Sequence, residues 1–253
     1  MRHLNFWILI LLFLISPLLA VNAQEEARAS FFVEGNQAYE EQDFAKAAKL
    51  YESVLQEDHA NGHVYYNLGN TYYRMGKLGQ ALGYFLKAMQ YLPRHEDIIA
   101  NLQYVRLQTT DQKEDTDRSW RQIFNTWTVD FTRQEWIIFL VLCNTVFWIV
   151  TVVRLFYHRE ILLWLMILFG SGTVFLMVAC FLKWWSPLPI GVILPKETTV
   201  YSAPHQQATV LFQLHEGAEV TIEEEAEDWV EIQFEPTKKG WVGKKSLFII
   251  HPN

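Results

Sequence analysis

The sequence predicts a multidomain membrane protein in which an all-α repeat solenoid, a transmembrane helical hairpin and a small all-β barrel follow one another along 253 residues. Three observations carry that prediction. Residues 35–44 and 69–78 match each other without gaps at an offset of 34. Two long apolar runs, 136–153 and 161–182, are separated by a short segment holding two arginines. After residue 188 the pattern changes to short alternating runs broken by turns.

Composition narrows the function classes. The formal net charge of −7 argues against a nucleic-acid binder, which needs a basic face. The acidic balance speaks to solubility rather than to any one partner. Cys143 and Cys180 are the only cysteines and both sit inside apolar runs, so they form no disulfide framework and read as small apolar fillers.

Residues 1–23 have the layout of an export signal. Met1, Arg2 and His3 give a basic start, residues 6–19 an apolar core, and Val21 and Ala23 the small positions of a cleavage site. The apolar runs define two transmembrane helices, 136–156 and 161–183, each near the ~20 residues that cross a bilayer. The loop 157–160 between them is too short for a domain. Arg154 and Arg159 mark this end of the hairpin as cytoplasmic. Signal and loop charge agree, and put both flanking segments, 24–135 and 184–253, in the same exported compartment. Asn144, Thr145 and the Gly170–Ser171–Gly172 stretch are the small and polar exceptions within the spans. They suit a hairpin packed on itself, with cross-helix hydrogen bonds.

The offset of 34 extends beyond the first match: Ala47 pairs with Ala81, Tyr51 with Phe85 and Val54 with Ala88. A helix–turn–helix unit of that period resembles the tetratricopeptide repeat. The second unit carries Leu68, Gly69, Tyr72, Ala81, Phe85, Ala88 and Pro93 at the family's signature positions. The first is looser, with Glu34 and His59 where the second has Leu68 and Pro93. Asn101–Leu102 repeats Asn67–Leu68, so residues 96–107 read as a closing helix and 24–108 as two repeats plus a cap. The resemblance implies a concave face carrying Phe32, Asn36, Tyr39, Tyr66, Asn67, Asn70, Tyr73, Asn101 and Tyr104. Amides would pair with the backbone of an extended peptide and rings would cover its side chains. Asn36 and Asn67 match the asparagines of the family's carboxylate clamps, but Phe32, Asp97 and Asn101 stand at the basic positions, so no such clamp is expected. His59 and His63 straddle a turn with no further ligand placed nearby, and a metal site needs three or four.

Residues 109–119 are a polar linker, and Trp120, Ile123, Phe124, Trp127 and Phe131 then recur at helical spacing, which predicts an interfacial helix over 120–135. Residues 184–253 hold seven short alternating runs, the signature of a small barrel. Val200–Pro204, Leu214–Gly217, Trp229–Ile232 and Lys239–Val242 follow in the order of motifs in bacterial SH3-type domains, which this region resembles. Tyr201, Trp229 and Trp241 are the expected groove residues, with the two tryptophans also packing the barrel. The acidic stretch 223–228 reads as a solvated hairpin rather than a metal site.

No nucleophile elbow, zinc-protease helix or phosphate loop occurs, and no cysteine lies outside the spans, so neither catalysis nor a cofactor is expected. The order of parts resembles the BatE family of the Bacteroides aerotolerance operon. That resemblance implies a non-enzymatic scaffold of the inner membrane beside von Willebrand factor A-domain membrane proteins, with a link to aerotolerance or envelope stress. The alternative is an anchoring protein that holds peptidoglycan through its SH3-type region.

Overall fold

The computed structural model describes residues 29–55, 61–111, 133–184 and 188–252. The export signal, His59 and most of the linker and interfacial helix lie outside the described residues.

The first region is a stack of helices: α1 (residues 29–40), α2 (Phe44–Leu55), α3 (Gly62–Arg74), α4 (Leu78–Tyr91) and α5 (Glu96–Arg106). The repeat is visible in its packing. A Cβ on Gly35 would lie 2.7 Å from the Tyr51 ring, and one on Gly69 would lie 2.6 Å from the Phe85 ring. Glycine therefore lets each unit's first helix rest against the aromatic side chain of its second. Tyr51, Leu68, Val64 and Ala47 fill one core, and Ala81, Leu82, Phe85 and Leu102 the next. The turns repeat as well. Gly76 ends α3 with φ +72, the left-handed geometry that glycine adopts freely. At the matching place after α1 stands Gln42 with φ +62, a conformation that strains a side-chain-bearing residue. Asn61 caps α3 by accepting the His63 N–H at 2.9 Å. The His63 ring itself lies edge-on to His95 at 6.0 Å.

Two long helices follow, α6 (Arg133–Phe156, 24 residues) and α7 (Glu160–Trp184, 25 residues). At 1.5 Å per residue each is roughly 36 Å long, enough for the ~30 Å hydrocarbon core. They pack against each other. Cys143 Sγ donates to Phe169 O at 3.4 Å and accepts from Thr173 Oγ1 at 3.6 Å, while Gly170 admits the Phe147 ring. The polar exceptions behave differently from expectation: Thr145 and Ser171 donate to Val141 O and Leu168 O of their own helices. A hydroxyl one turn above a carbonyl reaches it more easily than a neighbouring helix. Leu142, Trp148, Trp164 and Phe175 are more than half exposed on the outside of the pair, as suits helices that face lipid.

The third region contains seven strands: β1 (Ile190–Ile193), β2 (Glu197–Tyr201), β3 (Val210–His215), β4 (Glu219–Ala226), β5 (Trp229–Glu235), β6 (Lys238–Gly243) and β7 (Leu247–Ile250). They form one antiparallel sheet in the order β3-β2-β6-β5-β4-β1-β7. The outer strands β3 and β7 are not paired with each other, so the sheet is not closed, an arrangement compatible with the small SH3-like barrel expected from the sequence. Val200, Leu214, Val220, Val230, Ile232 and Val242 make its core. Trp229 and Trp241 do not share that core as expected. Each precedes a buried valine, so the two-residue period of a strand turns the tryptophans to the opposite face. On the hairpin of β4 and β5, Lys239 reaches Glu231 at 3.1 Å and Lys244 reaches Glu225 at 2.6 Å, so part of the acidic run is neutralised.

Sheet and solenoid share a core. Val192 and Ile250 are buried together with Leu82, Phe85, Leu86 and Val105, with Phe248 packed beside them. Gly79 and Gly83 on α4 are what allow the approach. A Cβ on Gly79 would stand 2.4 Å from Ile193 O, and one on Gly83 would stand 2.6 Å from the Phe248 ring. Arg106 holds Glu219 with two hydrogen bonds, at 2.6 and 2.8 Å. The His215 N–H donates to Asp111 at 2.5 Å, and the Gly79 N–H donates to Glu216 at 3.0 Å. The last contact puts a carboxylate at the first turn of α4, where free N–H groups favour an anion. Arg94, in the turn after α4, pairs with Glu135 in the first turn of α6. The solenoid is thereby tied to the sheet and to the first long helix.

Candidate functional site

The first helices of the repeat units, α1 and α3, and the closing helix α5 carry asparagines that are linked to one another. Asn67 Nδ2 donates to Asn36 Oδ1 at 3.2 Å, and Asn101 Nδ2 donates to Asn70 Oδ1 at 2.9 Å. Both links join residues 31 apart, and the second pair is the first moved on by 34. The repeat thus carries its own interhelical amide bond. Asn36 Oδ1 also accepts from the Tyr51 hydroxyl at 2.8 Å, and Asn101 Nδ2 also reaches the Tyr66 oxygen at 3.3 Å. Each link uses a carbonyl of one residue and an amino group of the next. The amino groups of Asn36 and Asn70 have no partner among the described residues.

A cleft of about 190 Å³ opens beside these amides, lined by Asn36, Tyr39, Glu40, Tyr51, Asn67 and Asn70. The other residues expected on this face divide in two. Phe32 and Tyr66 are half-buried packing groups: Phe32 lies 6.0 Å from Tyr51, and Tyr66 lies 6.0 Å from Phe85. Tyr73 and Tyr104 meet edge-to-face at 5.8 Å further along, and Tyr73 accepts from Gln108 Nε2 at 3.2 Å. Tyr104 is 58% exposed, the most open ring of the face. Sequence reasoning missed Glu40 and Tyr51. Tyr51 aligns with Phe85 and so reads as a core ring; the hydroxyl that distinguishes it is what touches Asn36. Burial pushes the Tyr51 phenol up to about 12, so it is a neutral donor at ordinary pH.

A larger opening, about 850 Å³, lies on the sheet between the start of β5, strand β2 and the segment after β6. Tyr201 and Trp229 form one wall, their rings perpendicular and 5.7 Å apart. Glu197, Asp228 and Lys245 bring charge of both signs to it. The Thr198 hydroxyl in its lining is buried with no hydrogen-bond partner among the described residues. Trp241 pairs with Tyr201 through the backbone and is not in the lining.

Comparison with protein families finds two known modules in the chain. Residues 38–103 match the tetratricopeptide repeat and residues 196–248 match the bacterial SH3 domain. No curated protein matches the chain. Both modules are typically binding domains without catalytic function. The chain therefore carries a tetratricopeptide-like repeat region and a bacterial SH3 domain, joined in sequence by two helices long and apolar enough to cross a membrane.

Proposed function

We propose that the protein is a non-enzymatic scaffold of a bacterial inner membrane, which holds a segment of a partner protein in the concave face of its repeats. The observation that carries this is the pair of free amide donors, Asn36 Nδ2 and Asn70 Nδ2, beside an open cleft on that face. An extended peptide offers carbonyl oxygens to such donors, and concave solenoid faces commonly serve as binding surfaces. The hairpin of α6 and α7 keeps the groove at the bilayer. The shared core of sheet and solenoid needs both on one side of the membrane, and two spans between them satisfy that need. The export signal and the arginines of the loop favour the periplasmic side. In this proposal the chain divides as its sequence suggests, with residues 24–108 as the partner-binding repeats. The order of parts further supports a Bat-type assembly with von Willebrand factor A-domain membrane proteins, linked to aerotolerance or envelope stress.

The test is co-purification of the tagged protein from mildly solubilised membranes, followed by identification of what is retained. Asn70→Ala combined with Tyr73→Ala should reduce retention of a near-stoichiometric partner while the helical content stays unchanged. Equal retention by the double variant counts against the groove. A second reading, peptidoglycan anchoring, is favoured by the bacterial SH3 match and the open cleft at Tyr201 and Trp229. Pelleting of the full-length protein with purified cell wall, lost in Trp229→Ala, would bring it forward.

A further inference from the structure

The charged groups around the groove are unevenly engaged. Its three lining helices contain two arginines, and both are engaged away from a ligand. Arg106 is held by Glu219 of the sheet, and the Arg74 guanidinium sits over the Phe44 ring at 4.9 Å. Two carboxylates stand on the other side of the balance. Glu40 lines the cleft and has no ion pair or hydrogen bond among the described residues. Asp97, in the first turn of α5, has a side chain 73% exposed and its nearest cation-capable neighbour is His95 Nδ1 at 4.0 Å. Docking of the sheet is what removes the cation at the α5 end. The Tyr39 ring lines the cleft next to Glu40, so a cation held by that carboxylate could also lie against an aromatic face.

Resting on the protein-binding reading of this groove, we infer that its occupant is an extended segment carrying lysine or arginine side chains. One basic side chain pairs with Glu40 against Tyr39, and a second is drawn toward Asp97. Asn36 and Asn70 give their free N–H groups to carbonyls of the segment's backbone. A carboxylate-terminated or acidic segment meets uncompensated negative charge at both ends and is rejected. Backbone contacts thus supply the grip, and the two carboxylates supply the discrimination.

The experiment uses the full-length protein in nanodiscs and fluorescence anisotropy with two dye-labelled twelve-residue serine–glycine peptides. One carries three lysines and the other three glutamates. The lysine peptide should bind more tightly. Glu40→Gln and Asp97→Asn should each weaken it about three- to fivefold, the scale of one exposed charge pair. Glu224→Gln, an equally conservative change on the distant β4, should leave binding unchanged. Equal affinity for the two peptides overturns the inference, and so does an equal loss in Glu224→Gln, since the preference for lysine is then only the general attraction of an acidic protein. The groove reading is judged separately by Asn70→Ala with Tyr73→Ala. Equal affinity of the two peptides for the unaltered protein, with loss of both in that variant, keeps the groove and discards the charge selectivity, whereas no loss of either discards both.

Discussion

Gly79→Ala tests the union of sheet and solenoid through the sign of its effect. Gly79 is the second residue of α4, and its N–H donates to Glu216 at 3.0 Å. In a free helix, alanine is preferred to glycine by at most about 1 kcal/mol, so the change alone stabilises. In the docked protein the new methyl stands 2.4 Å from Ile193 O, a backbone atom that no rotamer change can move. Relieving the overlap requires the strand to withdraw by about 1 Å to an ordinary carbon–oxygen contact. Overpacking of this kind costs about 1–3 kcal/mol. The net expectation is a loss of about 1–2 kcal/mol, concentrated at the interface. Hydrogen exchange of the nanodisc-embedded protein reads this locally. Protection of residues 190–193 and 247–250 should fall about tenfold, the equivalent of 1.4 kcal/mol, while the middle of α6 stays unchanged. Unchanged or increased protection in those strands would refute the docked arrangement, since only the helix propensity would then be at work.

Other expectations follow from the same packing. Gln42→Gly relieves the left-handed backbone strain and should raise the stability of the first repeat by about 0.5–1 kcal/mol, visible as slower exchange in α1 and α2. Gly69→Ala should lower stability by about 1–3 kcal/mol, since the fully buried Phe85 ring, 2.6 Å from the new Cβ, has nowhere to go; a higher melting temperature would contradict this. A double-mutant cycle on Arg106→Ala and Glu219→Ala should give a coupling of about 1–2 kcal/mol in exchange at the interface, above the usual surface pair because the contact is bidentate and half-shielded. The Tyr51 phenol is raised from 10.0 to about 12 in the folded chain, so the unfolded chain loses its proton first as pH rises. Its contribution is intact below pH 10 and declines between about 10 and 12, by up to roughly 2–3 kcal/mol. Tyr51→Phe should flatten that part of an alkaline denaturation curve.

The sequence by itself determined the modules. The match at an offset of 34, the apolar runs and the alternation after residue 188 each reflect local periodicity, and burial of one face imposes that periodicity on the residues directly. The glycines facing Tyr51 and Phe85 belong to this class, since their spacing recurs within each unit. The tertiary structure alone decided how the modules meet. Gly79 and Gly83 look like ordinary helix residues until Ile193 and Phe248, more than 100 positions away, come to rest on them. The pairing of Arg106 with Glu219 across 113 residues carries no periodic signal either. The same holds for the site. The asparagines were legible because they repeat, but their mutual bonds, the exposed Glu40 and the diversion of both arginines depend on which helix faces which. Periodic burial writes itself into a sequence at every turn, whereas a single contact between distant modules leaves only two residues that match nothing nearby.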